Sequence, residues 1–369
     1  MGKLIHGEPG QGEPMPPVVP PVGRNPEHGP PPEAVARVEG PDQLLSIDHL
    51  ATHIETADGV VKAVNDVSLA VAPGRVLGLV GESGCGKTMT ALSVMRIVPP
   101  PGRIVGGSIR FQGVDLLSLS DREMQRVRGR RIAMIFQEPM TALNPVLTVG
   151  EQIAEMLRYH LSMSRADGRS RAIELLRQVG VPSPEERYRA YPHQLSGGLR
   201  QRVMIAMAIS CEPALIFADE PTTALDVTIQ AQILELLRRL QRELHLSLVL
   251  ISHDLGVIAQ MADEVAIMYA GRIVEQAPTA RLFGEPLHPY TQGLMQSLPR
   301  RAPRDRRQRL TAIPGSVPRL QQLPPGCAFH PRCPVAIARC STDEPALKLL
   351  APAHNARCWV AEAKRAQAV

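Results

Sequence analysis

The sequence predicts an α/β fold built on a mostly parallel sheet, and three observations carry that reading. From residue 76 onward, short apolar runs alternate with longer helical stretches, the pattern of a parallel sheet covered on both faces. A glycine-rich loop stands between one such run and the helical stretch after it. Apolar residues make up 44% of the 369 residues, enough for a large core plus an appendage.

Taken in order, residues 1–42 hold eleven of the 35 prolines, with Gly and Glu between them. Such a stretch buries too little surface to offset its ordering entropy, so it reads as a disordered extension. A Pro-rich docking ligand is the alternative. From Leu44 apolar and polar residues alternate, and Val67, Leu69 and Val71 continue an antiparallel-looking section. Val76–Val80, Ile132–Phe136, Ala214–Ala218 and Leu248–Ile251 read as buried strands, because each is a continuous apolar run. Helices are predicted over 88–96, 148–161, 168–179, 199–210 and 227–244. The segment 148–193 interrupts the alternation and predicts a helical subdomain at about 145–198. Residues 300–309 carry six arginines and one aspartate and read as a solvated linker. Contact with anionic lipid or an acidic neighbour is the other reading. These changes of character divide the chain into 1–42, 43–285 and 286–369.

Composition also excludes functions. Aromatics are 3%, too few for base stacking to be the main business, and a net charge of +5 does not imply a nucleic-acid partner. No run of eighteen apolar residues is present, so no spanning helix is expected. The N-terminus lacks the apolar core of a secretory signal, which predicts a cytosolic protein with reduced cysteines unless they bind something.

Gly81-Glu82-Ser83-Gly84-Cys85-Gly86-Lys87-Thr88 fits G-x-x-x-x-G-K-[ST], between a predicted strand and a predicted helix. Glycines let such a loop turn its N–H groups onto phosphate oxygens. Lys87 is expected at the β- and γ-phosphates and Thr88 on Mg²⁺. Cys85 reads as a small filler. The run ending in Asp219-Glu220 supplies the acidic half: Asp219 for the Mg²⁺ shell, and Glu220 to take a proton from water attacking the γ-phosphate. Further along, Ser196-Gly197-Gly198 opens a helical run, a second helix N-terminus suited to an anion.

Leu195-Ser196-Gly197-Gly198-Leu199-Arg200-Gln201-Arg202 resembles the signature motif of ABC-type ATPases, and the resemblance runs from about Leu44 to Gln276. It implies a P-loop NTPase fold whose nucleotide-binding domains dimerise head to tail. Ser196, Gly197 and Gly198 of one chain would then cap ATP on the glycine loop of the other. Gln137 matches the family's Q-loop glutamine, expected at Mg²⁺ or the attacking water. Asp226 falls in the D-loop match Thr223-Ala224-Leu225-Asp226, and His253 matches the switch histidine that contacts the γ-phosphate. The aromatic that many members stack on adenine is missing from residues 55–62, which leaves aliphatics such as Val61. Gln137–Pro145 and Leu287–Leu294 resemble the extended Q-loop and C-terminal block of dipeptide and oligopeptide importer ATPases. That subfamily also includes uptake systems for nickel and glutathione. The resemblance implies two integral-membrane permease subunits, a solute-binding protein outside, a location on the cytoplasmic face of the inner membrane, and pairing with a related second ATPase in preference to a second copy. No coiled-coil heptads are sustained, which argues against an ABC ATPase of DNA repair or translation.

Cys327, Cys333, Cys340 and Cys358 are spaced by 5, 6 and 17 residues. In a cytosolic chain such a group argues for metal over disulfides. The spacing lacks the C-x2-C pairs of zinc fingers, and four thiolates suit a 4Fe-4S cluster as well as zinc. Four reduced cysteines in a small core is the remaining reading. The resemblance to peptide-importer ATPases implies the 4Fe-4S cluster, in a structural role. Cys211 reads as a buried apolar residue.

Overall fold

The computed structural model describes residues 43–297 and 312–367. The Pro-rich extension and the arginine run at 300–309 lie outside them. In chain order the strands are β1 (Leu45–Thr56), β2 (Gly59–Val71), β3 (Val76–Val80), β4 (Gly102–Phe111), β5 (Val114–Asp115), β6 (Ile132–Ile135), β7 (Leu215–Asp219), β8 (Ser247–Ser252), β9 (Glu264–Tyr269), β10 (Arg272–Pro278), β11 (Lys348–Ala351) and β12 (His354–Ala356).

Two sheets form. One is antiparallel, in the order β2-β1-β4-β5; the other runs β11-β12-β10-β9-β3-β8-β7-β6. Within the second, β9, β3, β8, β7 and β6 are parallel. The expectation of a parallel sheet therefore holds at its centre, while β10, β12 and β11 add an antiparallel edge. The central strands are apolar throughout because both their faces are covered. Val76, Val80, Ile135, Ile216, Leu248 and Leu250 point to the side packed by the helical segment. Leu77, Leu79, Ile132, Met134, Phe217 and Val249 point to the side where the antiparallel sheet sends Leu45, Ile47, Val67 and Ile109. A residue period of two divides the two faces.

The helical segment consists of Val149–Leu161, Arg165–Gln178, the short turn Pro184–Arg187 and Gly197–Ile209. Thr148, Ser164 and Ser196 cap its three long helices by accepting backbone N–H groups, which satisfies donors that a helix start leaves open. Ile153, Ala154, Leu157, Ala172, Leu175 and Leu176 are fully buried between them. A Cβ on Gly150 would meet the Tyr188 ring at 2.1 Å. Glycine is what lets the chain before the signature serine close over the first of these helices.

The division drawn at residue 285 crosses the large sheet, since β10 pairs with β12 through Glu275↔Ala356 and Gln276↔Asn355. Glu275 is completely buried. Its carboxylate accepts the backbone N–H groups of Leu287 and His288 at 2.6 and 2.9 Å and lies 2.7 Å from His354 Nε2. Burial pushes the His288 imidazole down to about 4, so the ring is neutral and its Nδ1 accepts the Tyr290 N–H at 3.1 Å. Asp66 of β2 ties a second point of the tail: Arg272 and Arg357 donate to its carboxylate at 3.0 and 2.9 Å.

Candidate functional site

Parallel strands bring their C-terminal ends to one edge, where ligands of such sheets bind. Here β3, β8, β7 and β6 are neighbours. They are followed respectively by the glycine loop, by His253, by Glu220 and, after Phe136, by Gln137. Residues as far apart in sequence as Gly81 and His253 thus share one edge for reasons of topology alone.

The glycine loop runs from Gly81 to Gly86 into the helix Lys87–Val94. Gly84 and Gly86 have φ of 77° and 108°, a region L side chains avoid. A Cβ on Gly86 would also lie 2.1 Å from the Ala63 carbonyl oxygen. The loop is therefore pressed against β2 by its shape. Lys87 is buried, and its Nζ donates to the carbonyls of Gly81 and Glu82 at 2.8 and 3.1 Å. These bonds hold an ammonium at the mouth of the loop. Cys85 is fully buried, and burial pushes its thiol up, which fits a packing role.

Asp219 ends β7 with only 2% of its surface exposed, and its Oδ1 is buried without a hydrogen-bond partner. Burial raises its pKa, against the Thr88 hydrogen bond and the charge of Lys87. An orphaned carboxylate oxygen beside a hydroxyl fits a hard divalent cation. Glu220 follows with φ of 44°, an unusual conformation for a glutamate and a kind of strain concentrated at functional sites. Its Oε2 accepts from Thr223 Oγ1 at 2.9 Å and Gln137 Nε2 at 3.2 Å, and its Oε1 lies 3.1 Å from His253 Nδ1. Burial raises its pKa, but the His253 and Thr223 hydrogen bonds outweigh burial and hold it below the usual glutamate range. Glu220 is therefore ionised at neutral pH. Gln137, Glu220 and His253 meet at one point. Thr223, a residue of the D-loop match with no predicted role of its own, joins them.

Ser196, Gly197 and Gly198 lie elsewhere, at the start of the helix Gly197–Ile209. Ser196 and Gly197 are exposed. The Ser196 hydroxyl accepts the Leu199 N–H at 3.4 Å. A Cβ on Gly198 would stand 2.8 Å from the Ile229 side chain, so the glycine lets this helix approach the helix Val227–Glu243. That second helix starts at Asp226, whose Oδ1 accepts the Ile229 N–H at 2.9 Å. The signature turn and the D-loop aspartate thus form one exposed corner.

The four tail cysteines, with His288, Phe329, His330 and Trp359, line a single small cavity. Burial pushes Cys327 up to about 11 and raises Cys333 and Cys358 as well. Among the described residues, however, no group of three or more His, Cys, Asp or Glu could hold a metal ion. The expected zinc or 4Fe-4S centre therefore has no preformed ligand set among the described residues. Instead the tail is fixed by Glu275, Asp66 and Arg332.

Residues 64–223 match the ABC transporter family model, and residues 274–340 match the oligopeptide/dipeptide transporter C-terminal region. A probable peptide ABC transporter ATP-binding protein of Sinorhizobium fredii is 52% identical over 319 residues, covering 86% of this chain and 95% of the relative. The oligopeptide transport ATP-binding protein AppD of Bacillus subtilis is 48% identical, over 88% and 98% of the two chains. The dipeptide transport ATP-binding protein DppD of Escherichia coli is 48% identical, over 85% and 96%. Among solved structures, the dimeric ATP-binding cassette MJ0796, in a post-hydrolysis state with ADP and Pi, superposes with a TM-score of 0.58. It is 26% identical and covers 64% of this chain and 98% of its own.

Proposed function

We infer the function from the fact that the chain belongs to the ABC transporter family of ATP-binding proteins, in the branch that carries the oligopeptide/dipeptide C-terminal region. It is an ATP-hydrolysing subunit that powers import of dipeptides or oligopeptides. The observation that carries the catalytic assignment is the convergence of Gln137, Thr223 and His253 on the ionised Glu220, on the sheet edge that also bears the glycine loop.

In this reading the loop N–H groups and Lys87 bind the triphosphate, Lys87 exchanging its two carbonyl partners for phosphate oxygens. Thr88, Asp219 and Gln137 would hold Mg²⁺, which when bound neutralises phosphate charge. Glu220 takes the proton of the attacking water, and His253 steadies both Glu220 and the γ-phosphate. Ser196, Gly197, Gly198 and Asp226 serve the nucleotide of a partner cassette. The exposure of Ser196, Gly197 and Asp226 supports this, as does the dimeric state of MJ0796. That partner is a related second ATPase in preference to a second copy. Two permease subunits receive the motion through the helical segment and the Q-loop, with a solute-binding protein on the far side. No described helix is long and apolar enough to cross a membrane, which suits a subunit held peripherally on the cytoplasmic face.

The test is uptake of labelled peptides by cells deleted for the chain and complemented with it. Restoration of peptide uptake by the native chain, and its loss with Lys87→Ala, is expected. Restoration of nickel or glutathione uptake instead would move the assignment to another substrate class.

We also propose a 4Fe-4S cluster at Cys327, Cys333, Cys340 and Cys358, supported by the one small cavity that all four line and by the suitability of four cysteine ligands for such a cluster. Anaerobic purification is expected to give a coloured protein with about four iron atoms per chain. A colourless or zinc-loaded chain contradicts it.

A further inference from the structure

Glu82 puts a carboxylate inside the loop that has to accept a triphosphate, and the C-terminal segment takes hold of it. Arg332 Nη1 and Nη2 donate to its two oxygens at 2.8 and 3.1 Å. This is the bidentate geometry that makes an arginine–carboxylate pair both strong and directional. The Arg332 side chain is 6% exposed and that of Glu82 29%. Arg332 Nε donates to the Pro314 carbonyl at 2.9 Å, and Nη1 lies 3.4 Å from the Tyr269 hydroxyl. Its guanidinium stands 5.9 Å from the ring centres of both Tyr269 and Phe329. A second tail residue reaches the same loop residue: the Tyr290 hydroxyl accepts the Glu82 backbone N–H at 3.0 Å. The Tyr290 ring is buried against Tyr269 and Phe329, with centroids at 4.7 and 5.4 Å. Three rings and one arginine thus form a platform beneath the loop. Only Tyr269 of these four comes from the central sheet; Tyr290, Phe329 and Arg332 come from the tail.

We propose that Arg332 and Tyr290 are positioning residues for the phosphate loop: by neutralising and holding Glu82, the C-terminal segment sets the affinity for nucleotide. Without Arg332, a bare carboxylate faces the incoming phosphates and the loop loses its outer anchor. Phe329 and Arg332 are flanked by Cys327 and Cys333, so whatever orders the cysteine cavity also orders the clamp. The proposal rests on the reading of residues 81–88 as the ATP cradle, and Lys87→Ala separates the two. If that variant still binds ATP, the cradle reading fails. If it does not bind, but Arg332 variants behave as the native chain does, only the clamp fails.

The experiment measures steady-state ATPase in the complex assembled from full-length chains, with KM and kcat taken separately. Arg332→Ala is expected to raise KM for ATP about tenfold, within the range of ordinary site–site coupling, with kcat changed less than about twofold. Adding Glu82→Gln to Arg332→Ala is expected to bring KM back to within about threefold of native, since the unpaired charge is gone. An arginine that only packs the tail would show no such rescue. Arg332→Lys keeps the charge and loses one prong; about a threefold rise is expected, and it carries the test should the alanine variant not fold. An unchanged KM in these variants, or a rise that Glu82→Gln does not reduce, overturns the proposal.

Discussion

Glu220→Gln is expected to leave ATP binding intact and to lower turnover of the assembled complex by roughly 10²–10⁴-fold, the contribution of a positioned general base. Glutamine keeps the shape and can still accept from Thr223, which stands 2.9 Å from Oε2 in the native site. It cannot take a proton. The native carboxylate can, and its depressed pKa fixes the pH dependence. Burial alone would raise it, but the hydrogen bonds from His253 and Thr223 prevail. The charged form is thus favoured by the fold and persists to lower pH than an ordinary glutamate would. The acid limb of the rate profile assigned to this group should therefore fall below the usual glutamate range. Phosphate release and equilibrium nucleotide binding, measured on the same preparation, check both halves. Hydrolysis at the native rate would remove Glu220 from the role of base.

Ser196→Arg is expected to reduce turnover by roughly 10²–10³-fold, the scale of a lost electrostatic donor site, without weakening nucleotide binding to the isolated chain. The serine lies on the signature corner and not on the loop's own edge of the sheet. It is exposed at the start of a 13-residue helix, where free N–H groups and the positive end of the helix favour an anion. A large side chain there blocks approach of another chain's nucleotide. The fold should survive, because the helix is fastened elsewhere: Arg200 donates to the Pro192 carbonyl at 2.7 Å and Arg202 to the Val179 carbonyl at 2.5 Å. Loss of the cap itself costs about 1 kcal/mol. Binding that falls in parallel with turnover would mean that Ser196 serves its own chain's nucleotide.

The central strands were legible because burial on both faces writes them as unbroken apolar runs. Val76–Val80 appears as expected, and the other three runs fall within a residue of β6, β7 and β8. The five predicted helices each fall within three residues of one in the structure, while Asp121–Val127 and Leu255–Met261 were not foreseen; the glycine loop, Asp219-Glu220 and Ser196-Gly197-Gly198 stand where local spacing put them, after β3, at the end of β7 and at the start of a helix. What was not legible is long-range pairing. Glu82 and Arg332 are 250 residues apart, Asp66 and Arg357 are 291 apart, and Glu275 and His354 are 79 apart. Charged pairs formed across such separations leave no periodicity in either partner. The same is true of β11 and β12, which are too short to carry a pattern: β12 owes its place to pairing with β10 and to the buried Glu275, and β11 to pairing with β12. A loop glutamate beside a phosphate motif was visible in the sequence; the arginine that answers it was one of many.

The exposed signature corner leads to one expectation above the others: nucleotide is enclosed between the glycine loop of one cassette and the serine-glycine corner of another. The test is native mass measurement of the Glu220→Gln chain, loaded with ATP and Mg²⁺ and supplied with the permease subunits and the second ATPase proposed above as its partners. The account predicts a closed pair of cassettes retaining two nucleotides, and loss of that pair on adding Ser196→Arg. A single ATP-loaded cassette under those conditions, with no second cassette retained, would contradict it.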